Sequence, residues 1–103
     1  MEPTHALQHV RDLRARIGFL RPMRADSPPY KLWLGDIVEL ANTCWGAGSP
    51  ELEQVAAALR PVRAGPANDD AAHRYLARLS RLDGVLAAYE EWLTPRSAGS
   101  VHP

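Results

Sequence analysis

Tyr30-Lys31-Leu32-Trp33-Leu34-Gly35-Asp36-Ile37-Val38-Glu39-Leu40-Ala41-Asn42-Thr43-Cys44-Trp45 is the stretch that decides the fold. Its apolar side chains at 30, 33, 34, 37, 38, 41, 44 and 45 recur at the three-and-four spacing of one broad helical face. Ser27-Pro28 places a capping residue before a first-turn proline, and Gly46-Ala47-Gly48 ends the pattern. The spacing therefore predicts a helix over 28–45. A bounded helix this apolar has to press against other helices. Leu32 falls opposite the face, beside Glu39 and Thr43, where it is either a tolerated exposed leucine or a contact for a partner.

Upstream, Ala6, Val10, Leu13, Ile17 and Leu20 form one stripe, predicting a helix over about 5–20. Thr4 is placed to cap it, Gly18 to close it in a left-handed conformation, and Pro22 blocks continuation. Downstream, Ser49-Pro50 repeats the start signal, with Glu51 and Glu53 in the first turn where the helix dipole favours anions. The third helix is predicted over 50–60, with Leu52, Val55, Ala56 and Leu59 inward and Glu51, Glu53, Gln54, Ala57 and Ala58 outward.

Asn68 or Asp69 is placed to cap the last helix, over 69–93, whose face reads Ala72, Tyr75, Leu76, Leu79, Leu82, Leu86, Tyr89 and Leu93. The stripe keeps its phase across Asp83-Gly84, so this is read as one helix containing a glycine that costs about 1 kcal/mol against alanine. Thr94-Pro95 is expected to end it, leaving 96–103 as a frayed tail. The expectation is an all-α, compact, up-and-down-like four-helix bundle forming one domain over 1–95. Its core centres on Tyr30, Trp33, Ile37, Trp45, Val55, Leu59, Tyr75, Leu79 and Leu86.

Composition narrows the function classes. The formal net charge is zero, so the whole molecule exerts no pull toward nucleic acid or an anionic membrane. No apolar run approaches the ~18–20 residues of a membrane span, and arginines interrupt the N-terminal region where a signal peptide would need an apolar core. Cys44 is the lone cysteine, which excludes an intramolecular disulfide and a multi-cysteine metal site and fits a reducing cytosol. Arginine outnumbers lysine eleven to one, the signature of GC-rich bacterial coding before it is a signature of phosphate binding.

Chemistry is thinly signalled. His5, His9 and Asp12 share a helical flank at metal-ligand spacing, but Ala6 stands where a catalytic zinc helix carries glutamate. The bland reading is two surface histidines. Cys44 lies near a helix C-terminus, whose negative end disfavours thiolate, and reads as structural. The acidic pairs Glu51/Glu53, Asp69/Asp70 and Glu90/Glu91 are adjacent or two apart, not at the three-or-four spacing that gathers carboxylates around a metal. A helix-turn-helix reading of the Gly46–Ser49 region fails on charge, since its second helix opens with carboxylates that repel phosphates. The Trp45-Gly46-Ala47-Gly48 turn resembles that of small secreted helical hairpins carrying a Trp-X-Gly motif. Ala47 occupies the glycine position, however, and five prolines interrupt the two long helices such a hairpin needs, so that family is not adopted.

No catalytic residue, metal or cofactor is assigned. The charge is segmented: residues 1–24 carry +3, 25–59 carry −4, 60–82 carry +3 and 83–103 carry −2. Segmentation favours oriented association. Arg74, Arg78 and Arg81 make a ridge on the last helix, and Arg11, Arg14 and Arg21 a second on the first. The candidate interaction surface is Arg74, Arg78, Arg81, Val85, Trp92 and Leu32. The leading expectation is a small non-enzymatic bacterial, cytoplasmic interaction module of adaptor or regulatory-subunit type, binding a protein or a second copy of itself. The alternatives are nucleic-acid binding through the arginine ridges and, last, a metal-dependent enzyme.

Overall fold

The computed structural model describes residues 2–59 and 71–99. Its helices are α1 (Pro3–Ala15), α2 (Ile17–Leu20), α3 (Pro28–Trp45), α4 (Pro50–Leu59) and α5 (Ala71–Gly99), with no strand among the described residues. The all-α four-helix bundle is therefore present, with the short α2 continuing α1. The predicted cap at 68 or 69 and the last residue of the 50–60 helix lie outside the described residues.

Neighbouring helices run antiparallel in the order α1, α3, α4, α5 around the bundle, and α5 closes back onto α1. Four side-chain bonds fix that register. Trp33 Nε1 donates to the Leu13 carbonyl at 2.8 Å and joins α3 to α1. Arg81 Nε donates to the Ala58 carbonyl at 3.2 Å, and the Tyr89 hydroxyl donates to the Glu51 carbonyl, so α5 grips both ends of α4. The Tyr75 hydroxyl donates to the Leu20 carbonyl at 2.6 Å. The diagonal pair α3 and α5 meets through aromatic rings at both ends of the core. Tyr30 packs edge-on to Tyr75 at 5.1 Å, and Trp45 lies 4.5 Å from Tyr89.

The core holds the α1–α2 stripe complete, joined by Leu7. It continues with Tyr30, Trp33, Ile37, Leu40 and Ala41 of α3, and with Tyr75, Leu79, Leu82, Leu86, Tyr89 and Leu93 of α5. Each fully buried leucine or isoleucine contributes roughly 1.5–3 kcal/mol. α5 runs unbroken through Asp83-Gly84, and Gly84 faces solvent as expected.

Several expectations are corrected. The helix predicted over 5–20 is broken at Arg16, because the Leu13 carbonyl accepts the Trp33 indole in the middle of the backbone ladder. It begins at Pro3, with Glu2 rather than Thr4 as its N-terminal flanking residue. Gly18 lies inside α2, and the described positive-φ residues are Gly46 (94°) and Gly48 (78°), which make the α3–α4 turn. Leu40 is fully buried although the α3 face omitted it. In α4, Ala58 is buried and Ala56 exposed, the reverse of the prediction, because α5 binds α4 through the Glu51 and Ala58 carbonyls and sets its rotation. Trp45 and Leu59 pack against the core half-buried rather than at its centre. Ala72 is exposed, and Leu76 is 41% exposed. α5 does not end at Thr94 but runs on to Gly99 with Pro95 inside it. Proline removes one ladder bond and kinks a helix without stopping it. The carbonyl it strands belongs to solvent-exposed Glu91, which water satisfies. Residues 96–99 are thus helix rather than frayed tail.

Candidate interaction surface

The predicted surface residues do not form one patch. Arg81 and Val85 line a shallow groove between α4 and α5, with Gln54, Ala57 and Ala88. Arg81 is held there by its bond to Ala58, and Val85 packs half-buried against the core. Arg78 is half-buried, and its Nε is shielded from solvent with no acceptor among the described residues. Arg74 is exposed one turn before it. Trp92 is 40% exposed, with its ring edge-on to Trp45 at 5.4 Å. It completes the aromatic group that closes the bundle beside the α3–α4 turn. Leu32 lies elsewhere, on the outer side of α3, and is 72% exposed.

Phe19, which the sequence reading passed over, is 67% exposed on α2. Arg16 Nη1 pairs with the Asp36 carboxylate at 3.5 Å between α1 and α3. Phe19 stands three residues after Arg16, and Leu32 four before Asp36. On antiparallel neighbours those offsets run in the same direction from the ion pair. Phe19 and Leu32 are thus exposed toward the same end of the adjacent α1–α2 and α3 segments. Phe19 is out of phase with the α1–α2 stripe, so periodicity alone does not mark it. A bulky apolar residue out of phase was the available signal.

Of the second arginine ridge, Arg14 is committed inside the molecule. Arg14 bonds Asp83 at 2.9 Å and Glu90 at 3.3 Å across the α1–α5 groove. Arg16 also lies 3.7 Å from Asp12, one turn back. Arg11 and Arg21 stand exposed on either side of Arg14 in the same groove.

The residues weighed for chemistry are scattered. His5 is exposed, His9 is half-buried, and Asp12 faces solvent beside Arg16. Among the described residues, no group of three or more histidine, cysteine or acidic side chains is placed to hold a metal ion. Cys44 is half-buried, and burial pushes its thiol above the ordinary cysteine range, which favours the un-ionised form. Burial also raises the Tyr89 phenol far above its ordinary range, with Glu51 adding to the effect, and burial raises Tyr75 as well. Both hydroxyls are donors to backbone carbonyls and act as struts between helices. No helix among the described residues is long and apolar enough to cross a membrane. Comparison with protein-family models, curated proteins and solved structures returns no match to this chain.

Proposed function

We propose that this chain is a non-enzymatic helical interaction module, of adaptor or regulatory-subunit type, working in a bacterial cytosol. The observation that carries the proposal is the pair Phe19 and Leu32, 67% and 72% exposed on adjacent helices of a bundle whose core is otherwise well filled. Apolar side chains of this size, grouped on a surface and rimmed by charge, are typical of contact sites. The nearby Arg16–Asp36 pair supplies polar groups that orient a partner. The lone cysteine and the arginine-over-lysine bias support the compartment and the source.

The nucleic-acid reading draws less support, since Arg14, Arg16 and Arg81 are engaged within the fold. The test is a Phe19→Ser/Leu32→Ser double variant. Both positions are exposed, so its helicity should match the parent by circular dichroism. Quantitative capture from source lysate, with light scattering for self-association, should show at least a tenfold drop in one retained protein or in dimer. Unchanged capture and an unchanged monomer would remove the proposal.

A further inference from the structure

The α2–α3 connector and the start of α5 enclose a half-open recess of about 600 Å³. Its wall includes Pro22, Met23, Tyr75 and Leu76. Met23 packs on the core from its half-buried position, and Leu76 leaves 41% of its surface uncovered. The one phenol on the floor is already used, because the Tyr75 hydroxyl donates to the Leu20 carbonyl. The floor therefore offers contact to apolar groups and no free hydroxyl to a polar one.

The rim is different. Arg21 and Arg24 both line the recess and are exposed, and neither meets a carboxylate among the described residues. They contrast with Arg14 and Arg16, which are paired. Asp26 is the one acidic side chain of the rim among the described residues, whose charge is therefore net positive.

We propose that this recess is the docking site for an acidic amphipathic helix of a partner protein. One or two bulky apolar side chains would seat against Met23 and Leu76, with flanking carboxylates on Arg21 and Arg24. The choice follows from complementarity. A volume of this size suits one or two large side chains. The half-open form suits a segment laid across it, and two guanidinium groups that meet no carboxylate among the described residues suit the carboxylates of such a segment. This deepens the interaction-module reading by naming the partner's chemistry, and it uses a different surface from Phe19 and Leu32.

The experiment uses the full chain and two labelled synthetic helices with the same leucine pattern, one flanked by glutamates and one by lysines. Binding is read by fluorescence polarisation at low salt. The acidic helix should bind at least tenfold tighter than the basic one. Arg21→Glu/Arg24→Glu, at exposed positions that do not threaten the fold, should invert that preference. Leu76→Asp should weaken the acidic helix at least tenfold with helicity retained. Equal binding of the two helices, or binding indifferent to the arginine reversal, overturns the proposal. So does decanoate binding that Leu76→Asp abolishes while neither helix binds, which would assign the recess to a small amphiphile. Self-association lost in Leu76→Asp without helix binding would assign it to a second copy. If the helices fail while Phe19→Ser/Leu32→Ser still loses its captured protein, the module reading stands and only the recess is removed from it.

Discussion

Replacing Trp33 with phenylalanine tests the fold at the point where one side chain alters another helix's backbone. Trp33 is 1% exposed, and its indole nitrogen holds the Leu13 carbonyl at 2.8 Å. The substitution keeps an aromatic ring in place but removes the donor and about three ring atoms. Losing this bond costs about 0.5–1.5 kcal/mol net, because the Leu13 carbonyl can find a new donor. A residual cavity of roughly 40 Å³ at ~24 cal/mol per Å³ adds about 1 kcal/mol. The expected loss is therefore about 1.5–2.5 kcal/mol, a sizeable share of the roughly 5–15 kcal/mol that holds a domain folded. Urea unfolding followed by circular dichroism measures it, provided the slope is unchanged. The geometry also predicts a local gain. Once released, the Leu13 carbonyl is free to accept the Ile17 amide, healing the break between α1 and α2. Hydrogen exchange at Ile17 should then slow relative to global stability. A loss below about 0.5 kcal/mol would refute the reasoning, since a buried bond of this kind is worth more. Ile17 exchange that tracks global stability unchanged would refute the account of the break.

Three further perturbations have defined outcomes. Gly84→Ala meets nothing within 4 Å at its new Cβ and lies inside a continuous helix, so it should stabilise the fold by about 1 kcal/mol in thermal unfolding. A double-mutant cycle on Arg14→Met and Asp83→Asn should give a coupling of about 0.2–1 kcal/mol that shrinks in high salt, because both partners are more than a third exposed on average. Stability should begin to fall as pH rises through about 8.5–9, where the unfolded Cys44 thiol ionises, and fall further above about 10, where the unfolded phenols ionise while Tyr75 and Tyr89 keep their protons in the fold. Tyr89→Phe should reduce that alkaline slope, read by urea unfolding across a pH series.

The fold was legible because its periodic signals were long. The stripes of α1, α3 and α5 each run for several turns; the α1 stripe is fully buried, six of the eight in-phase residues of α5 are, and on α3 Tyr30, Trp33, Ile37 and Ala41 are while Val38 is exposed. Three features were not legible, each for a stated reason. The rotation of α4 is set by α5, whose Tyr89 and Arg81 grip carbonyls at both its ends, and ten residues hold too little pattern to show it. The break at Arg16 comes from an indole twenty residues away, and no local sequence encodes that. Pro95 reads as a stop locally, yet it interrupts only one ladder bond near the end of a long helix already anchored along its length. The surface was harder to read than the core. Periodicity identifies what faces inward, so Phe19 escaped notice, and Leu32 was noticed only because it broke the α3 pattern.

The charge segmentation gains a different meaning from the topology. The chain alternates positive and negative blocks, and the contacts of α1 with α3, of α4 with the first half of α5 and of α1 with the second half of α5 bring opposite blocks together, while α3 and α4 share one acidic block. Arg16 on α1 meets Asp36 on α3, and Arg14 meets Asp83 and Glu90 on the far half of α5. The arginine-bearing first half of α5 lies along acidic α4, with Arg81 bound to its last turn. Pairs this exposed add little stability each, but like charges brought together by a wrong order would be repelled, so the pattern discriminates between helix arrangements. Much of the charge that suggested oriented association is therefore consumed in ordering the bundle itself. On the proposed reading a partner would use what the described residues leave uncovered: Phe19 and Leu32 on α2 and α3, and Arg21 and Arg24, which meet no carboxylate among the described residues, over the apolar recess. Recognition would then rest on apolar contact steered by these few local cations.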